Sequence, residues 1–147
     1  MNRITTVTLI LIIAVSAYGA KPVSKETVKP IELTRATFLE KVFNYENNDT
    51  WKYSGDKPAI VDFYATWCVP CRITSPILKE LAAEYGDDIY IYKIDIDREA
   101  ELADLFGAHT IPMFLFIPMD EQPMLGVGAL PKSSFKEAID TFLLKKN

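Results

Sequence analysis

The run Ala59-Ile60-Val61-Asp62-Phe63-Tyr64-Ala65 leads, two residues later, into Cys68-Val69-Pro70-Cys71, and no other junction in the chain restricts the fold as much. An almost wholly apolar stretch of this length is a strand buried on both faces. Two cysteines three apart at the opening of a helical pattern share one face of the first turn, so their sulfurs can meet in a disulfide. The unpaired N–H groups and the dipole at a helix N-terminus favour a thiolate there. The spacing therefore predicts Cys68 as an exposed, acidic nucleophile and Cys71, one turn in, as a shielded resolving thiol.

Other uses of two cysteines fit less well. A structural zinc site takes about four ligands, whereas the chain has two Cys and one His, His109; neither a metal nor another cofactor is expected. A purely structural disulfide across so short a loop contributes at most about 2 kcal/mol before strain. Redox exchange is the better reading of the pair.

The N-terminus bears on the compartment. Arg3 is the only charge before Lys21, an apolar stretch runs from Val7 to Val15, and Ser16-Ala17-Tyr18-Gly19-Ala20 supplies small residues. That order is the signature of a secretory signal, with cleavage expected after Gly19 because Ala17 and Gly19 form the small pair. The apolar run is shorter than the roughly 20 residues that span a bilayer comfortably, which favours cleavage over retention as an anchor. Residues 1–19 then form a signal peptide, 20–29 a polar linker and 30–147 one domain around a single core. Without Arg3 the 16 basic residues become 15 against 20 acidic, a net charge of −5. The lysines are scattered and form no basic stripe, so nucleic-acid binding is not expected.

Strand and helix patterns alternate along the domain. Ile31–Leu33 reads as a short strand, and Thr34 caps a helix carrying Phe38, Leu39, Val42 and Phe43 at helical spacing. Residues 44–57 are a polar loop with embedded aromatics. The helix from Cys68 to about Tyr85 is expected to turn Ile73, Ile77, Leu78 and Leu81 to the core, to carry Pro76 as a kink and to stop at Gly86. Ile89–Ile96 is a strand, and Glu99–Phe106 a helix closed by Gly107. Met113–Ile117 and Met124–Val127 form an antiparallel pair, which its flanking prolines mark as an edge hairpin. In the last helix, Ser134 and Glu137 have capping-box spacing, and Phe135, Ala138, Ile139, Phe142 and Leu143 form the buried stripe. The order βαβαβαββα predicts an α/β fold: a central mixed sheet with helices on both faces, its site at the carboxyl ends of the strands.

Two further features touch the chemistry. Asp62 interrupts the most apolar strand, where a carboxylate is expensive unless paired or protonated; beside Cys71 it reads as a proton acceptor for that thiol. Lys93, on the next strand, is its possible partner. Pro112 opens a strand in Thr110-Ile111-Pro112-Met113, a position proline tolerates because it cannot donate to the ladder.

The segment Val61-Asp62-Phe63-Tyr64-Ala65-Thr66-Trp67-Cys68-Val69-Pro70-Cys71-Arg72 resembles the active-site segment of the thioredoxin family. Pro76, Lys93, Ile111-Pro112 and Val127-Gly128-Ala129-Leu130 fall where that family places its helix kink, lysine, cis-proline loop and glycine-containing loop. The resemblance covers about Pro30 to Leu144. It implies a thioredoxin fold and a protein-disulfide reductase in which Cys68 attacks, Cys71 resolves and Asp62 assists deprotonation. It also implies a cis Pro112 and an apolar docking surface of Trp67, Ile111, Pro112 and Gly128 that takes substrate by strand addition. Val69, Tyr64 and Met113 depart from the residues common at those positions in the family.

An exported reductase of this kind needs disulfide-containing protein substrates and a membrane-embedded thiol donor, since cytosolic reductants cannot reach it; a monomer is expected. The Val-Pro pair between the cysteines also occurs in thiol reductases of cytochrome c maturation, which usually carry an insertion absent here. Pro70 and Asp62 both argue against an oxidase or isomerase. A non-enzymatic binding module with a permanently closed disulfide is the remaining alternative.

Overall fold

The computed structural model describes residues 28–146; the expected signal segment and most of the linker lie outside the described residues. The elements follow the expected order: β1 (Ile31–Glu32), α1 (Arg35–Lys41), β2 (Ala59–Tyr64), α2 (Val69–Tyr85), β3 (Tyr90–Asp95), α3 (Ala100–Phe106), β4 (Met113–Ile117), β5 (Met124–Val127) and α4 (Lys132–Glu137), which continues as a wider π-helical segment over Ala138–Leu143. They build one mixed sheet of order β1-β3-β2-β4-β5. β1, β3 and β2 run parallel, while β4 is antiparallel to both β2 and β5. Of the expected edge hairpin only β5 is an edge; β4 is internal, and all five of its residues are buried.

Alternation along the strands divides the interior into two layers. On one face Val61, Phe63, Tyr92, Ile94 and Leu115 meet Phe38, Val42 and Leu102 from the α1 and α3 side. On the other, Ile60, Ile91, Phe114 and Phe116 meet Leu78 and Leu81 of α2 and Phe135 and Ile139 of the C-terminal helix. The sheet is thus covered on both faces. β2, paired on both sides as well, is buried from Ala59 to Phe63.

Helix ends follow local chemistry, with two departures from expectation. Thr34 caps α1 reciprocally, its side chain accepting from the Thr37 N–H while the Thr37 hydroxyl accepts from the Thr34 N–H. Gly107 ends α3 at φ +63°, a left-handed conformation that glycine adopts without penalty. Ser134 caps nothing: Pro131, extended at φ −71° and ψ 158°, starts α4 earlier, so Ser134 lies within the helix. Ile73 is the second departure. It is 59 % exposed, because the buried stripe of α2 runs Cys71, Thr74, Leu78, Leu81, Ala82, Tyr85 and leaves Ile73 on the solvent side.

The 44–57 loop holds to the body through its aromatics. Tyr45, Trp51 and Tyr53 pack against the α1/α3 layer, and the rings of Phe43 and Trp51 are 4.8 Å apart. Arg35 bridges the loop to α3 by pairing with both Glu46 and Glu101.

Phe114 is fully buried and meets the Phe135 ring edge-on at 4.8 Å, so it carries packing between the sheet and the last helix. Phe114→Ala should cost about 3–5 kcal/mol, and Thr34→Ala only about 1 kcal/mol. Guanidinium unfolding of the two variants against the parent checks both the sizes and their order.

Candidate active site

The end of β2 delivers the two cysteines to the start of α2. Cys68 is the N-cap residue, extended at φ −75° and ψ 110°, and its sulfur accepts the Cys71 N–H at 3.2 Å. Pro70 stands in the first turn, where its missing N–H costs no helical hydrogen bond. Cys68 and Cys71 are joined in a disulfide with Cα atoms 5.3 Å apart. The two differ little in exposure, at 3 % and 4 %, so the expected exposed Cys68 is not found in the disulfide form. The two cysteines form a small buried cluster with Ala65, against which Tyr64, Ile96 and Ile111 pack. What separates them is the electrostatic setting: the helix-terminal N–H points at the sulfur of Cys68, and a cavity lies beside Cys71.

That cavity, of about 110 Å³, is lined by Asp62, Tyr64, Ala65, Thr66, Cys71, Arg72, Ser75 and Lys93. Asp62 is 1 % exposed, and its Oδ1 has no hydrogen-bond partner among the described residues. Burial pushes its carboxyl up to about 7, against an opposing pull from Lys93 and with a further push from Glu32. Lys93 is the register neighbour of Asp62 across the β2–β3 pairing. It makes no contact ion pair with Asp62; its Nζ lies 3.7 Å from the centre of the Tyr64 ring. The pairing expected from sequence is therefore one of neighbourhood and long-range field rather than contact.

The residues expected to dock a substrate lie at the end of the sheet where β2 delivers the cysteines. Trp67 is 63 % exposed and donates its indole N–H to Asp97 Oδ2 at 2.8 Å. The Ile111–Pro112 peptide is cis, and the Pro112 carbonyl accepts the Gly128 N–H at 2.9 Å, which brings those two loops together. Neither backbone polar group of Ile111 bonds to other described backbone. Gly128 has φ +92°, and no atom would crowd a Cβ built there, so backbone conformation rather than space selects glycine. Val69 and Ile73 are exposed beside the disulfide. The outer face of α2 thus carries exposed apolar side chains, and of these the sequence reading assigned Ile73 to the core.

A protein-family model described as Thioredoxin matches residues 30–141. The chain is 43 % identical over 112 residues to a thioredoxin of Borreliella burgdorferi, covering 76 % of this chain and 96 % of that one. The chain belongs to the thioredoxin family. A thioredoxin of Porphyra purpurea is 31 % identical over 112 residues, which is 76 % of this chain and 95 % of the relative. The chloroplastic M-type thioredoxin of Spinacia oleracea is 35 % identical over 100 residues, 66 % of this chain and 55 % of the relative.

As a thioredoxin-family protein with a Cys68–Cys71 disulfide, the chain is a thiol-disulfide oxidoreductase of the disulfide-reductase kind, and disulfide-containing proteins are its substrates. Sequence reasoning had reached Cys68, Cys71, Asp62, Lys93, Trp67, Ile111, Pro112 and Gly128, and these converge at one end of the sheet. It missed Asp97, Ser75 and the Tyr64–Glu32 contact. Their partners lie more than twenty residues away or across a cavity, and no local pattern reports such pairs. Ile73 was within reach of sequence, since continuing the buried face from Cys71 in steps of three and four leads to Thr74 and Leu78 and passes it by.

The Asp62 carboxyl ties stability to pH. Unfolded, it titrates near its ordinary 3.8; folded, near 7. Between these values the native state keeps a proton that the unfolded chain has lost, so stability is full below the lower value and declines as pH rises through the upper one. Above it, the buried carboxylate costs on the order of 4 kcal/mol. Asp62→Asn should therefore stabilise the oxidised protein by several kcal/mol more at about pH 8 than at about pH 4. Guanidinium unfolding of both proteins at the two pH values checks this; an equal difference at both would sink it.

Proposed function

We propose that the protein is an exported disulfide reductase that passes two electrons from a membrane-embedded thiol donor to protein disulfides, working as a monomer. The observation that carries the chemistry is the unlike setting of the two sulfurs: Cys68 accepts a helix-terminal N–H, while Cys71 shares a cavity with a buried, unpartnered carboxyl. In the reduced form the Cys68 thiolate attacks one sulfur of a substrate disulfide. A mixed disulfide forms and one substrate thiolate departs. Asp62 takes the Cys71 proton as the Cys71 sulfur attacks Cys68, which closes the intramolecular disulfide and releases the second substrate thiolate. A carboxyl titrating near 7 is matched to this task at neutral pH. Trp67, Ile111, Pro112 and Gly128 form the surface on which the substrate strand lies, with the unpaired Ile111 backbone available for strand addition.

Cys68→Ser should abolish reduction of insulin disulfides, and Cys71→Ser should accumulate a mixed disulfide visible on non-reducing gels. Unchanged turnover in Cys68→Ser would overturn the mechanism. Asp62→Asn should slow release of the mixed disulfide by about 100–10,000-fold near neutral pH, the scale of a positioned general base.

Export rests on the segment before Lys21, with its single Arg3, apolar Val7–Val15 run and small residues up to Gly19. Outside the cytosol, cytosolic dithiols cannot recharge the site, so the donor has to carry electrons across the membrane. Mass spectrometry of the protein from its native source should give a mature N-terminus at Ala20. A full-length chain starting at Met1 and recovered with the cytosolic fraction would rule the export reading out.

A further inference from the structure

One row across the sheet places three charged residues side by side. Glu32 on β1 pairs in register with Lys93 on β3, and Lys93 with Asp62 on β2. The lysine has a carboxyl on either side, one exposed and one buried, yet its Nζ makes contact with neither and sits 3.7 Å from the Tyr64 ring centroid. Tyr64, two residues beyond Asp62 on the same face of β2, donates its hydroxyl to Glu32 Oε1 at 2.6 Å. Glu32 is thereby engaged by the tyrosine, and the tyrosine ring is held with its face toward the ammonium.

We propose that Tyr64, oriented by Glu32, is a positioning residue that seats the Lys93 ammonium on its ring and so withholds it from contact with Asp62. This rests on the reading of Asp62 as the proton acceptor for Cys71. A carboxylate locked to a lysine in a buried ion pair is a poor base for a thiol, because the pair stabilises the charged carboxylate and lowers its affinity for a proton. Removing the cation altogether would leave burial and the Glu32 charge, both of which oppose ionisation and keep the acid protonated. Seated on the ring, the ammonium acts on Asp62 through its field alone, between those extremes. The ring's negative face attracts a cation, which biases which of two nearby sites a flexible lysine occupies.

The other groups facing Asp62 are Cys71, Arg72 and Ser75 of α2, which line the same cavity. Asp95 on β3 adds a negative field at Tyr64. On the β4 side the register neighbour is Phe114, which carries no charge. Among these groups, Lys93 alone is both a cation and a register neighbour of Asp62, so the position of its ammonium decides how strongly the carboxyl is drawn into its ionised form.

The test follows the carboxyl carbon of Asp62 by NMR across pH in the oxidised protein. Tyr64→Leu, which removes the ring face, should lower the Asp62 midpoint by about one pH unit; Tyr64→Met serves if the leucine variant does not fold. Tyr64→Phe, which keeps the face and loses only the hydroxyl bond to Glu32, should bring the midpoint most of the way back to the parent value. In a Lys93→Met background Tyr64→Leu should leave the midpoint where Lys93→Met alone puts it. An unchanged midpoint in Tyr64→Leu, or an equal fall without Lys93, overturns the proposal. The titration involves no substrate, so it is independent of whether Asp62 serves Cys71; that reading fails separately if Asp62→Asn resolves mixed disulfides at the parent rate at every pH.

Discussion

Double burial of β2 is the constraint on which the rest of the structure depends. The strand is paired to β3 on one side and β4 on the other, and both its faces are covered by helices. Its backbone polar groups therefore meet the ladder rather than water, and its position is held from four directions. A strand so held ends at a defined point, and that point presents Cys68 as the N-cap of α2. The acceptor role of the Cys68 sulfur toward the Cys71 N–H follows from where β2 stops. So does the placement of Asp62 in the cavity that Cys71 also lines, on the face shared with α2.

The same burial creates the tension in the site. Asp62 is nearly fully buried and its Oδ1 finds no donor among the described residues, so its ionised form weakens the native state. A chain selected for stability alone would hold a leucine or valine there. A carboxyl that titrates near 7 is instead suited to exchanging a proton with a thiol. Local instability and reactivity thus share one origin. On the surface the balance differs: the ion pairs of Arg35, Lys132 and Lys136 join solvent-exposed side chains, where solvent screening leaves little net stabilisation, and they tie loops and helices together rather than tune the chemistry.

Much of this was legible in the residues. The alternation of periods gave the element order, the apolar run identified the central strand, and a lone acid within that run marked itself as unusual. Gly107 closed α3 as its position predicted, since only glycine takes φ +63° there at no cost. The failures have physical causes. Ile73 was assigned to the core from hydrophobicity, whereas the phase of α2 was decided by Cys71, Thr74 and Leu78 packing onto the sheet. Ser134 has the composition of a cap, but Pro131 begins the helix first. Cys68 was expected to be exposed because it opens a helix, but it is buried in a cluster with Ala65 and Cys71, against which Ile111 packs from more than forty residues away.

The sequence by itself determined which residues could exchange electrons, since two cysteines three apart at a strand–helix junction have one geometry available to them, and local backbone periodicity is enough to build it. It also determined that a carboxyl would be buried beneath them, because the pattern of the strand leaves Asp62 no route to the surface. Tertiary structure alone decided how that carboxyl is tuned. The seat of the Lys93 ammonium depends on Tyr64 and Glu32, which come from strands that are not adjacent in the sheet and stand 32 positions apart in the chain. Electrostatic energies depend on distance in space, and the sequence records distance only along the chain.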